Sequence, residues 1–169
     1  MLYSYTVLLS VVVIFCGLNT ALAGEIKLGA TTPFGENAVI REAVKNECQL
    51  QTKLPDFVRQ FANKYNIDVK LGNDISKKTK GRVLLLEIVG TQGAAGGAWS
   101  GAKAVQVKGG LYDNGKLVGD FVAARYSGGG MWGAYKGTCS ILGRCVKTLG
   151  KDIAKWLQNP SKNSRLGDF

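Results

Sequence analysis

Hydrophobic positions along the chain change their period several times, and each change marks an element. Over residues 38–44, AVIREAV, the apolar Ala38, Ile40 and Val44 share one face at period two, which predicts a first strand. From Thr52 to Tyr65 the apolar Leu54, Phe57, Val58, Phe61 and Tyr65 recur at helical spacing. Pro55 and Asp56 are placed in a first turn that tolerates a missing N–H and favours a negative charge. Residues 82–89, RVLLLEIV, form a nearly continuous apolar run, the pattern of a central strand covered on both faces. Val105, Val107 and Leu111 then alternate with Gln106, Lys108 and Tyr112 in a third strand. YDNGK follows, and its Asn114-Gly115 pair is a hairpin signal leading into a partner strand over 117–126. Residues 140–157 close the pattern with a helix whose Leu142, Cys145, Leu149, Ile153 and Trp156 form one stripe.

These elements predict an α+β fold, a two-layer sandwich with a four-stranded, mainly antiparallel sheet and two helices on one face, in the order β-α-β-β-β-α. Residues 24–35 are expected to be an N-terminal arm, 36–158 a single domain, and 159–169 a polar, flexible tail. Following chain direction through this order brings the Cys48 turn, the 90–102 loop and the 127–137 loop to one end of the sheet.

Residues 1–23 carry no Lys, Arg, Asp or Glu, run apolar from Thr6 to Gly17 and close on Ala21-Leu22-Ala23, which predicts a secretory signal peptide cleaved after Ala23. Cys16 follows the bulky Phe15, so no lipobox is expected and the chain is placed in the periplasm or outside the cell. The remaining part, roughly 150 residues, is long enough to bury about two-thirds of its unfolded surface without a metal. It carries the whole net charge of +10, which favours an anionic envelope surface or an acidic protein as partner and, outside the cell, disfavours nucleic acid. No pattern specifies an oligomeric state.

Three cysteines follow the signal: Cys48, Cys139 and Cys145. Export to an oxidising compartment predicts one disulfide. Within one helix Cys139 and Cys145 would stand about 9 Å apart from rise alone, beyond the roughly 7 Å limit for a bridge, which leaves Cys48 as the shared partner. Chain polarity favours Cys48 with Cys139, and Cys48 with Cys145 is the alternative.

Candidate chemistry is thin. Gly128-x-Gly130-x-x-Gly133 follows a strand, but several residues separate it from the next helix and no strand comes after, so it does not make a dinucleotide loop. Gly110-x-x-x-x-Gly115-Lys116 has Leu117 where a P-loop needs Ser or Thr. With no histidine in the chain, Ser-His and Cys-His nucleophiles and His-metal sites are excluded, and neither a catalytic site, a cofactor nor a metal is expected.

Two loops remain, GTQGAAGGAWSGA and YSGGGMWGAYKG. Glycine lets another backbone approach closely, while tryptophan and tyrosine supply contact area with a polar handle. The expected partner-binding residues are Trp99, Ser100, Arg125, Ser127, Gly128, Gly129, Gly130, Trp132, Tyr135 and Lys136. Arg144, Lys147, Lys151 and Lys155 lie on one side of the last helix as a basic face. Gly143 and Gly150 share a flank beside Ala154, which predicts close approach of the first helix there.

In NECQLQTKL, AWSGAKAVQVKG, VGDFVAARYSGGG and GTCSILGRCVKTLGKDIAKWL the chain resembles a family of small exported bacterial proteins, many of them lipoproteins, known as a domain of unknown function. The resemblance implies helices on one side of a small sheet and a non-catalytic periplasmic role, and it transfers no catalytic residue. The function expected is that of a non-enzymatic cell-envelope binding or accessory protein using the glycine/aromatic end. The alternative is a carrier of an anionic small molecule or lipid, with Arg125, Lys136 and the basic helix supplying charge.

Overall fold

The computed structural model describes residues 24–92, 103–128 and 137–169. The elements run β1 (Ile26–Gly29), β2 (Phe34–Val39), α1 (Glu42–Glu47), α2 (Leu50–Asn63), β3 (Val69–Gly72), β4 (Arg82–Gln92), β5 (Lys103–Asp113), β6 (Lys116–Ser127), α3 (Thr138–Trp156) and β7 (Ser164–Gly167). Among the described residues seven strands form one mixed sheet in the order β3-β1-β4-β5-β6-β7, with β2 sharing the edge of β4 with β1. The four-stranded, mainly antiparallel sheet with two helices is therefore overturned. Only β4-β5 and β5-β6 pair antiparallel, and the outer pairs are parallel.

Three of the added strands have four residues each, and pairing rather than pattern defines them. In β1, Ile26 and Leu28 point into the core, although this stretch reads as an arm. In β3, Val69 lies opposite Ile26 in register. β7 falls in the stretch read as a flexible tail, and it lies in parallel register with Phe121–Ala124. The predicted first strand over 38–44 divides instead. β2 ends at Val39, which is 84% exposed, and Val44 is buried from the short helix α1. Its period-two spacing suits a strand, but a single buried valine is all that a helix this short requires.

Along β4 to β6 the alternation sorts residues cleanly. Leu84, Leu86 and Ile88, then Val105, Val107 and Leu111, then Phe121 and Ala123 join the α2 and α3 stripes in one core. Leu85, Glu87, Lys108, Tyr112 and Val122 fall on the other face and stay partly exposed. Asn114 and Gly115 at φ 47° and 82° turn the β5-β6 hairpin, the left-handed pair that an Asn-Gly sequence favours.

Helix α2 begins at Leu50, so Pro55 lies in its second turn and not its first. A proline there cannot donate to the carbonyl four residues back, that of Gln51. The backbone N–H of Thr32 donates to that carbonyl at 3.0 Å, so the break in the helix ladder fastens the β1-β2 link to α2. At the far end of α3, Trp156 packs edge-on against Phe121 at 4.8 Å between centroids and donates from Nε1 to Ser164 Oγ at 3.0 Å, anchoring the start of β7.

Candidate partner-binding end

Antiparallel pairing brings Gln92 opposite Ala104 and Lys103 opposite Ser127, so the last residues of β4 and β6 and the first of β5 share one end of the sheet. α3 starts from the same end. A disulfide joins Cys48, just after α1, to Cys139 in the first turn of α3, with Cα atoms 4.7 Å apart. The pairing favoured by chain polarity is the one formed, and Cys145 is a free, buried thiol. Behind the bridge, Gln49 turns the chain at φ 53°, and Lys53 Nζ donates to the Cys48 carbonyl at 2.8 Å.

Beneath this rim the polar groups are tightly managed. Lys103, the first residue of β5, is fully buried; burial pushes its ammonium pKa down, and the nearby Arg41 charge adds to the effect. The Cys145 thiol donates to the Lys103 carbonyl at 3.7 Å, and burial raises its pKa, with Asp168 acting in the same direction. Arg125 grips Asp152 of α3 through two hydrogen bonds of 2.7 and 3.0 Å and Asp168 through one of 2.6 Å. The Asp152 hydrogen bonds, the largest effect, outweigh burial and raise the guanidinium pKa further.

Of the expected partner-binding residues, Ser127 is half-buried at the end of β6, and Gly128 is exposed just beyond it. Arg125 is occupied as a three-way bolt between β6, α3 and the C-terminal segment. Trp99, Ser100, Gly129, Gly130, Trp132, Tyr135 and Lys136 lie outside the described residues. Arg144, Lys147, Lys151 and Lys155 are all exposed along α3. Among the described residues no group of three His, Cys, Asp or Glu side chains gathers in a metal-like cluster, and no helix is long and apolar enough to cross a membrane.

A feature missed in the sequence is an open cleft of about 690 Å³ on the sheet face away from α2 and α3, with Leu85, Gly110, Tyr112 and Val122 along its floor. The half-exposed alternate positions of β4 to β6 were its signal. Its charged residues are Glu87 and Asp120 on one side of the ledger of sign and Lys77 and Lys108 on the other, so charge selects no ligand class there.

No protein-family model matches the chain, and no curated protein matches it. Solved structures similar to it include PelC from Paraburkholderia phytofirmans, a dodecamer, at 14% identity over 75% of this chain and 86% of that one, with a TM-score of 0.47. Another is a minor lipoprotein from Acinetobacter baumannii, at 12% identity over 85% and 98% with a TM-score of 0.46. A third is the lipoprotein GNA1162 from Neisseria meningitidis, at 14% identity over 78% and 98% with a TM-score of 0.43. Likenesses of this size transfer neither an activity nor a partner to this chain.

Proposed function

We propose that this chain is an exported, non-enzymatic protein of the bacterial cell envelope, periplasmic or secreted, that captures a protein or surface partner through the glycine/aromatic loops at its disulfide end. The observation that carries this reading is the Cys48–Cys139 bridge at the root of the 127–137 segment. Covalent fixation of a loop base lowers the ordering cost that a binding surface must meet on association. Ser127 and Gly128 lead out of β6 into YSGGGMWGAYKG, which ends at the start of α3 beside Cys139. The carrier reading is weaker, because Arg125, one of the charges it would use, is already held by Asp152 and Asp168.

The test is a crosslinking pull-down from native envelope with the chain and with Trp99→Ala/Trp132→Ala. The reading expects partner capture to fall at least about tenfold, as for loss of two aromatic anchors, while the thermal midpoint stays within about 5 °C. Undiminished capture would reject the loops as the contact. A large fall in the midpoint would instead assign the tryptophans to a small core beneath their own loops.

A further inference from the structure

The opposite end of the sheet is formed by the starts of β1, β3 and β4, the β5-β6 turn and the loop 73–81, and it is strongly cationic. The loop sequence SKKTKGR supplies Lys77, Lys78, Lys80 and Arg82 within seven residues, and Lys27 and Lys116 flank it. The nearby acids without an ion pair among the described residues are Glu25, Asp74 and Asp113, the last accepting from Asn114 Nδ2 at 2.8 Å, whereas Asp68 pairs with Lys70 at 3.3 Å. The loop that carries them is held in place. Lys27 Nζ donates to the Lys80 carbonyl at 3.2 Å, Gly81 N–H donates to Asn114 Oδ1 at 2.9 Å, and Ser76 N–H donates to Thr79 Oγ1 at 3.1 Å. Lys77 is seated over the Tyr112 ring at 5.0 Å. Lys78, Lys80 and Lys116 are exposed.

We propose that this basic end docks on an anionic phospholipid surface and so points the disulfide end away from the bilayer. One observation favours a membrane over an acidic protein. The chain enters the fold at this same end, where Gly24 and Glu25 lead into β1, directly after 23 residues that carry no charged side chain and include the apolar run from Thr6 to Gly17. Whether that segment stays in the bilayer or is removed to leave a cationic amino terminus, the first folded surface next to it is this one. Juxtamembrane basic residues of this kind add affinity one by one and lose it to salt.

The test is co-sedimentation of residues 24–169, which hold every described element, with vesicles of phosphatidylglycerol mixed into phosphatidylcholine, and with vesicles of phosphatidylcholine alone. Expected are binding to the anionic vesicles only, a steep loss with added salt, and a further loss of more than about tenfold for Lys78→Glu/Lys80→Glu/Lys116→Glu. Lys77 is left unchanged because of its contact with Tyr112, and circular dichroism of the variant checks that it is folded. Equal binding to phosphatidylcholine, survival of binding in the triple variant, or an equal loss in Lys147→Glu/Lys151→Glu on α3 would each overturn the proposal. Because partner capture is read separately in the Trp99/Trp132 variant, failure at one end leaves the reading of the other intact.

Discussion

At the disulfide end Lys45 and Glu42 pair at 3.4 Å, Arg125 is held by Asp152 and Asp168, Lys53 is held on the Cys48 carbonyl, and the frame is closed covalently. At the opposite end six cations face three acids, and among the described residues hydrogen bonds and one cation–π contact hold the loop, with no covalent link. The comparison separates two ways of presenting a surface. A rim whose loops must be positioned for shape recognition gains from a cross-link, since its contacts are short-ranged and fail with misplacement. A basic tip acting on a diffuse layer of anions needs only proximity, because its interaction extends about 8–10 Å at physiological salt. On the proposed reading, rigidity lies where geometry would select the partner.

Breaking the bridge tests this contrast most severely. The cross-link closes a loop of 91 residues, for which the chain-entropy model gives about 4.5 kcal/mol. Cys48→Ala/Cys139→Ala, or reduction under native conditions, should lower unfolding stability in urea by about that amount. Amide exchange should accelerate over α1 and the first turns of α3, while protection at β1, β3 and the start of β4 changes by no more than the global loss. Acceleration over α1 and the first turns of α3 no greater than that at β1 and β3 would show that the bridge acts on the fold only as a whole and that the two ends are not independent.

The long elements were legible because they repeat their pattern often enough to define a period. β4, β5 and β6 span 11, 11 and 12 residues, and α2 and α3 span 14 and 19. Two alternating apolar residues, as in β1 or β3, define no period, and β7 has only Leu166 to offer; these strands exist because a neighbour supplies their hydrogen bonds. The Cys48–Cys139 bridge was legible, since it follows from counting strand directions. Arg125 was read as a binding residue because its partners lie 27 and 43 residues further along the chain, where no local pattern connects them. The basic end escaped notice for a related reason. Lys27, Lys80 and Lys116 are scattered in sequence and meet only through β1-β4 pairing and the β5-β6 turn.

Two glycines on α3 sharpen the comparison further. Gly143 and Gly150 are two turns apart on one flank, yet only one is an approach point. A Cβ on Gly150 would lie 2.6 Å from Phe57 Cβ and 3.0 Å from the α2 backbone, whereas one on Gly143 meets no described atom within 4 Å. Gly150→Ala should therefore cost about 2 kcal/mol through overpacking of α2 against α3. Gly143→Ala, near the disulfide end, should gain about 0.5–1 kcal/mol by improving helix propensity. Both are read as shifts of the urea midpoint. A destabilising Gly143→Ala would show that the glycine/aromatic loop lies against α3 at that point, making the rim a packed surface and not an open one.

The smallest effect probes the seam beneath the rim. Burial raises the Cys145 thiol above its ordinary pKa of 9.0, so the folded chain keeps the proton that the unfolded chain releases. For an acid shifted upward, the unfolded state binds fewer protons once pH exceeds its own pKa, and stability falls as pH rises from there. Wild type should accordingly lose stability above pH 9 more steeply than Cys145→Ala, by no more than about 1.4 kcal/mol per pH unit, the limit for one proton. Comparing the two chains at each pH cancels the titration of lysines and tyrosines common to both. Coincident slopes would mean that water reaches the thiol past Lys103, and the disulfide end would then be open between β5 and α3 instead of sealed.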